Sequence, residues 1–210
     1  SKVDAGGGDA MDADPGAMVG QPTPISIEPG ASRDGVLSAA KSMLGGESMF
    51  TNTFVAEDGS GTVTLAPPTP GDVMAHELRD ETVYSTDGAF LAATEGVDID
   101  SEVGGLSSVL SGAGLTPLAL KGTGTAFVDA YGGLERLELA AGESYVLDNE
   151  HLIAWDDQIE YSTRRVGDLK STLLSGEGIV FEFTGPGTAW YQTRDMDSLV
   201  DVLAPRLPTQ

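Results

Sequence analysis

The sequence predicts an all-β fold with a few short helices, assembled from a unit that occurs three times. Three observations carry that prediction. Gly59-Ser60-Gly61-Thr62, Gly122-Thr123-Gly124-Thr125 and Gly185-Pro186-Gly187-Thr188 are one G-x-G-T word written at two equal intervals of 63 residues. A second glycine-led word precedes each copy, Gly46-Glu47-Ser48-Met49, Gly112-Ala113-Gly114-Leu115 and Gly176-Glu177-Gly178-Ile179. Between these words run short stretches in which apolar and polar residues alternate, as strands with one buried face do. Self-similarity at a fixed period marks repeated supersecondary units.

The units begin near Gly8, Gly71 and Gly142, which gives repeats over 8–70, 71–141 and 142–194. In the first, Gly8-Asp9-Ala10-Met11 leads nine residues later into Ala17-Met18-Val19, and in the third Gly142-Glu143-Ser144-Tyr145 leads equally into His151-Leu152-Ile153. The middle copy takes twice that distance from Gly71-Asp72-Val73 to Ala89-Phe90-Leu91, which predicts an inserted hairpin through Glu77 to Asp87. The Gly-, Asp- and Pro-rich opening predicts a loosely held start over 1–11, followed by a single domain over 12–208. Alternation marks strands at Val97-Asp98-Ile99-Asp100, Leu134-Glu135-Arg136-Leu137-Glu138-Leu139, Ile159-Glu160-Tyr161 and Ile179-Val180-Phe181-Glu182-Phe183. Helices are expected over 34–44, 106–110 and 168–174, each stopping at the glycines of the next shared word. A fourth, over 197–203, would turn Leu199, Val200 and Leu203 inward and end before Pro205.

A chain of 210 residues that is 40% hydrophobic can bury one sizeable core. No apolar run approaches the ~18 residues of a membrane span, and the opening has no signal-like stretch, so the expectation is a soluble, cytoplasmic protein. The start at Ser1 rather than Met predicts trimming upstream and a first unit short of its leading strand. Cysteine is absent, which excludes disulfide scaffolds, thiolate metal sites and cysteine nucleophiles. The 33 acidic and 11 basic residues leave a net charge of −22. Acidic, lysine-poor and glycine-rich composition is how archaeal-like, salt-loving proteins look, because molar salt shortens the screening length to ~3 Å and tames the repulsion.

Several longer words carry a resemblance. Met49-Phe50-Thr51-Asn52-Thr53-Phe54, Leu65-Ala66-Pro67-Pro68-Thr69-Pro70-Gly71-Asp72, Asp87-Gly88-Ala89-Phe90-Leu91-Ala92, Leu174-Ser175-Gly176-Glu177-Gly178 and Tyr191-Gln192-Thr193-Arg194 resemble signature words of the altered-inheritance-of-mitochondria family, the TRAP-like proteins of unknown function. The resemblance covers about Asp14 to Pro208. It implies a double-stranded β-helix similar to the tryptophan RNA-binding attenuation protein, and assembly as a homotrimer. Mitochondrial members of the family are implicated in inner-membrane organisation, which implies another protein or a membrane-associated assembly as partner.

Little in the chain points to chemistry. The two histidines, His76 and His151, lie in different units with no H-x-H pair, so no metal site and no cofactor is expected. His151 reads as a strand-edge residue, and His76 as an exposed residue of the inserted hairpin. No G-x-S-x-G elbow, Walker A lysine or dinucleotide-binding glycine pattern occurs, and the G-x-G-T words sit between strands as turns. Asp98, Asp100 and Glu102 alternate on one strand as a solvated face, without the glycine-centred spacing of a calcium loop. Nucleic acid is excluded as a partner by charge, since phosphate binding depends on Lys and Arg. Arg164, Arg165 and Arg194 are instead candidates for ion pairs within a subunit or across an interface. Two readings remain. The leading one is a non-enzymatic oligomeric scaffold or interaction module; the other is an enzyme or small-ligand sensor with a pocket between repeats, using Asp148, His151 and Glu177.

Overall fold

The computed structural model describes residues 1–29, 51–56, 59–101, 103, 115–165 and 179–207. These residues form strands β1 (Lys2–Ala5), β2 (Ala10–Ala13), β3 (Met18–Gly20), β4 (Ile25–Pro29), β5 (Asn52–Ala56), β6 (Gly61–Leu65), β7 (Val73–Thr86) and β8 (Phe90–Thr94). They continue with β9 (Val97–Asp100), β10 (Pro117–Asp129), β11 (Leu134–Leu139), β12 (Ser144–Asp148), β13 (Leu152–Asp156), β14 (Glu160–Arg165), β15 (Ile179–Thr184) and β16 (Gly187–Gln192), and end in one α-helix, α1 (Met196–Leu203). The fold is all-β with one short helix among the described residues. The helices expected over 34–44, 106–110 and 168–174 lie outside them.

Among the described residues every strand pairing is antiparallel, in three sheets. One is ordered β1-β6-β3 and another β12-β15-β14; the large sheet runs β11-β16-β13-β7-β10-β8-β2-β5-β4, with β9 paired to β10. Within the large sheet two pairings link strands far apart in sequence: β2 lies against β8, with Ala13 opposite Ala92, and β7 lies against β13, with Ser85 opposite Ala154.

Among the described residues the core falls into three clusters. The first gathers Leu78, Leu118, Leu120, Phe90, Val128, Ile153 and Trp190 around β7 and β10. The second, around β5 and β6, holds Met11, Phe54, Val63, Leu65, Leu91 and Phe127. The third, under β15, holds Leu147, Trp155, Phe181, Phe183 and Ile159. The period-2 patterns at Leu134–Leu139 and Ile179–Phe183 do become β11 and β15.

Four expectations need correction. Residues 1–11 are not loose: they carry β1 and the start of β2, and the Ser1 amino group donates to the Leu65 carbonyl at 2.6 Å. The chain therefore opens on a strand, paired with β6, where none was expected. The stretch from Glu77 is not a hairpin either, since it continues β7 along β10 from Glu77 opposite Thr125 to Thr86 opposite Pro117. One irregularity between Gly122 and Thr123 lets the long pair bend, with Asp80 at φ +59° on β7.

The G-x-G-T words occupy unlike settings. Gly59 lies between β5 and β6, and Gly185-Pro186-Gly187 joins β15 to β16, but Gly122 sits inside β10. Its φ of +115° favours glycine, and a Cβ there would stand 2.3 Å from the Gly96 carbonyl oxygen. At this bulge β10 exchanges β9 for β8 along one edge. The fourth correction concerns α1. Val200 is 50% and Leu203 44% exposed, and only Leu199 is half-buried. The helix is capped by the Asp195 carboxylate, which accepts from Ser198 N at 2.6 Å, so its local signal was sound. No described element covers its apolar side.

Candidate functional site

Asp148 and His151 share one turn. β12 ends at Asp148, whose carboxylate accepts from the Glu150 amide at 2.9 Å and so closes a short 3-10 turn over Asn149–His151. This delivers His151 to the start of β13. Its Nδ1 lies 2.6 Å from the Gln192 backbone oxygen; a carbonyl only accepts, so Nδ1 carries the proton. Nε2 lies 3.9 Å from Asp195 Oδ2, beyond a hydrogen bond. Gln192 completes the joint by donating from its side chain to the Glu150 carbonyl at 2.8 Å and accepting from the Tyr131 amide at 2.9 Å.

The turn thus ties β12–β13 to the end of β16 and, through Asp195, to the cap of α1. Burial, followed by the charges of Asp148, Asp195 and Asp197, pushes the Glu150 carboxyl up. Burial also pushes the Asp195 carboxyl up, but the hydrogen bonds from Ser198 and the proximity of His151 outweigh it and hold the group below its usual value. Asp148 and His151 are brought together in sequence and space yet serve different partners. Glu177, the third suspect, lies outside the described residues.

His151→Ala should cost about 1 kcal/mol, the usual worth of one hydrogen bond, lowering the melting temperature by roughly 2–4 °C for a domain of this size and leaving the oligomeric state unchanged. Thermal unfolding followed by tryptophan fluorescence checks this. A loss above ~3 kcal/mol would mean that the ring holds more than the Gln192 carbonyl.

His76 is not an exposed hairpin residue. It lies on β7 with its ring edge-on to Trp190, centroids 5.2 Å apart at 72°, and its Nε2 is buried with no hydrogen-bond partner among the described residues, 3.6 Å from Glu81 Oε1. Arg164 and Arg165 fall in β14 opposite Val180 and Ile179. Arg194 follows β16 on the surface, its stem against Gly132. Among the described residues no group of three or more His, Asp or Glu side chains is arranged to hold a metal ion, and no helix is long and apolar enough to cross a membrane.

Sequence reasoning overlooked Asp129. It ends β10 at 6% exposure, and burial, reinforced by the charge of Asp14, raises its carboxyl from 3.8 to about 6. Asp14, after β2, is itself raised by burial. The two meet because the β2–β8 pairing carries the end of β2 beside the end of β10, with the Asp14 amide donating to the Leu91 carbonyl at 2.9 Å. A charged residue within Ala126-Phe127-Val128-Asp129-Ala130 was the available signal.

The family model described as Mitochondrial biogenesis AIM24 matches residues 2–194. An uncharacterized protein of Streptococcus pyogenes serotype M6 is 32% identical over 171 residues, which is 80% of this chain and 68% of that protein. The crystal structure of a Streptococcus pyogenes protein matches with a TM-score of 0.81 at 27% identity, over 98% of this chain and 93% of that one. Since the family match runs from β1 past β16, the chain belongs to the Mitochondrial biogenesis AIM24 family.

Proposed function

We propose that this protein is a non-enzymatic, homo-oligomeric scaffold, built from three copies of one six-strand unit in a double-stranded β-helix and adapted to high salt. One observation carries the reading, a pairing scheme that recurs. β1 and β3 flank β6 while β2 and β4 flank β5. Likewise β11 and β13 flank β16 while β12 and β14 flank β15. The middle set follows the same scheme with its strands fused: the halves of β7 and the strands β8 and β9 surround the two halves of β10.

The irregularities recur as well. Met18 and Gly20 face Leu65 and Thr64, Phe90 and Ala92 face Val128 and Phe127, and Leu152 and Ala154 face Tyr191 and Trp190, each with one residue bulged out. On this scheme the units span β1–β6, β7–β10 and β11–β16, so Gly8 and Gly142 precede the second strand of their units rather than the first. Such units stack through strand edges and leave edges at the two ends, which favours a cyclic homo-oligomer.

The test is light scattering with melting curves across salt. A homotrimer is expected in molar salt, with the melting temperature falling as salt drops to ~0.1 M, where the screening length grows to ~10 Å and 33 carboxylates repel over the whole body. A monomer in molar salt ends the scaffold reading, and a melting temperature that stays flat or rises as salt falls ends the salt adaptation. The enzyme or ligand-sensor reading draws its support from Asp129, a buried carboxyl raised from 3.8 to about 6 by burial and the nearby Asp14, at a junction between units.

A further inference from the structure

We infer that β12 of one copy adds as an antiparallel strand to β3 of a second copy, making the joint between subunits; the inference rests on the scaffold reading. β8 and β13 begin with Phe90-Leu91-Ala92 and Leu152-Ile153-Ala154, residues no more than 3% exposed. β3 holds Met18 and Val19 in the corresponding places, and these are 41% and 64% exposed. The difference lies in what covers each strand. β8 has β2 along its second edge and β13 has β7, whereas β3 sits at the edge of its sheet with β6 alone among the described residues.

The covering strands tell what is missing. β2 covers β8, and the 83–85 stretch of β7 covers β13. The strand in that position in the third set is β12, and among the described residues it too has a free edge, at the end of the order β12-β15-β14. It exposes Tyr145 at 40% and Val146 at 44%. One chain therefore carries one uncovered strand of each kind, with apolar residues on both. Pairing β12 with β3 of the next copy repeats a contact the chain already makes twice.

The register transfers directly. Five positions separate Ala13 from Met18, Ser85 from Phe90 and Leu147 from Leu152. Since Ala13 faces Ala92 and Ser85 faces Ala154, Leu147 will face Gly20, Val146 will face Gln21 and Tyr145 will face Pro22. The contact joins unlike surfaces, head to tail, so it builds a ring where the rotation closes, as the homotrimer requires, and not a two-fold dimer.

The chain has no cysteine, so a disulfide reports the joint without background. Directly opposed residues on antiparallel strands lie ~4.5–5.5 Å apart between Cα atoms, within disulfide reach. The double variant Gln21→Cys/Val146→Cys, oxidised in molar salt, is expected to run as covalent oligomers on a non-reducing gel, whereas each single variant and the control Glu28→Cys/Val146→Cys stay monomeric there. Val19→Asp/Tyr145→Asp should abolish assembly while keeping the strand signal in circular dichroism. An assembled trimer that does not cross-link overturns the joint and spares the scaffold reading. A monomer by light scattering ends both. A cross-link formed within single chains would mean that β12 closes on its own β3, and capture of a foreign strand by a monomeric chain would assign the edges to another protein; either result overturns the inference.

Discussion

Replacing Phe181 by alanine should lower the free energy of unfolding by about 3–5 kcal/mol, the range for emptying an aromatic site in a packed core. Phe181 and Phe183 are fully buried on one face of β15, stacked with centroids 5.9 Å apart at 25°, and Tyr161 and Trp155 continue the aromatic row. Because β15 is the middle strand of β12-β15-β14, the cavity would open beneath the centre of that sheet, with Leu147 and Thr163 directly opposite Phe181 on its two neighbours. Guanidinium unfolding of Phe181→Ala and Phe181→Leu provides the check. The leucine variant should lose far less, since it retains most of the volume. A loss below ~1 kcal/mol for alanine would show that this sheet contributes little to global stability. If β12 forms the joint between subunits, the alanine variant should also assemble more weakly.

The second large effect runs in the opposite direction. Asp129→Asn should stabilise the protein at pH 7.5. In the folded chain burial and the nearby Asp14 raise the Asp129 carboxyl from 3.8 to about 6, so the ionised form is disfavoured. At ~1.4 kcal/mol per pH unit the cost approaches ~3 kcal/mol once the group is ionised in both states. The sign follows from the direction of the shift. Below about pH 4 the group is protonated folded and unfolded, and nothing is lost; between there and pH 6 the folded state holds its proton while the unfolded state releases it, so stability falls as the pH rises. Above that window the loss is complete.

Wild-type protein should therefore gain stability on going from pH 7.5 to pH 5, and Asp129→Asn should remove a large part of that gain. General relief of repulsion among 33 acidic residues acts in the same direction in both proteins, so the difference between them isolates Asp129. Melting curves at the two pH values decide the matter. Equal pH dependence in wild type and variant would mean that the Asp129 carboxyl titrates elsewhere.

What the sequence determined by itself was local. Alternation at Leu134–Leu139 and Ile179–Phe183 led to β11 and β15, because a period of two leaves few alternatives to a half-buried strand. The fourth helix and its end were legible from the spacing of Leu199, Val200 and Leu203 and from Pro205, while its inward face was not. Family membership was readable because it rests on words of several residues. The three occurrences of G-x-G-T were also visible, but their settings were not: whether a glycine makes a turn or a bulge depends on the strand opposite, and at Gly122 the opposing β7 continues as one strand past its irregularity at Asp80.

The tertiary structure decided everything that depends on a distant neighbour. Met18 and Phe90 have equal reason to be buried by residue type, yet only Phe90 has β2 beside its strand. Val200 and Leu203 lie on a sound apolar face that no described element covers. Asp129 is an ordinary carboxylate in the sequence and becomes a perturbed one because the fold buries it at the end of β10 and the register of β2 on β8 sets Asp14 next to it. His151 looked like an isolated histidine beside Asp148, and the end of β16 gave it the Gln192 carbonyl instead. Periodicity records which residues prefer to be buried, whereas long-range register decides which of them are, and no local pattern contains that pairing.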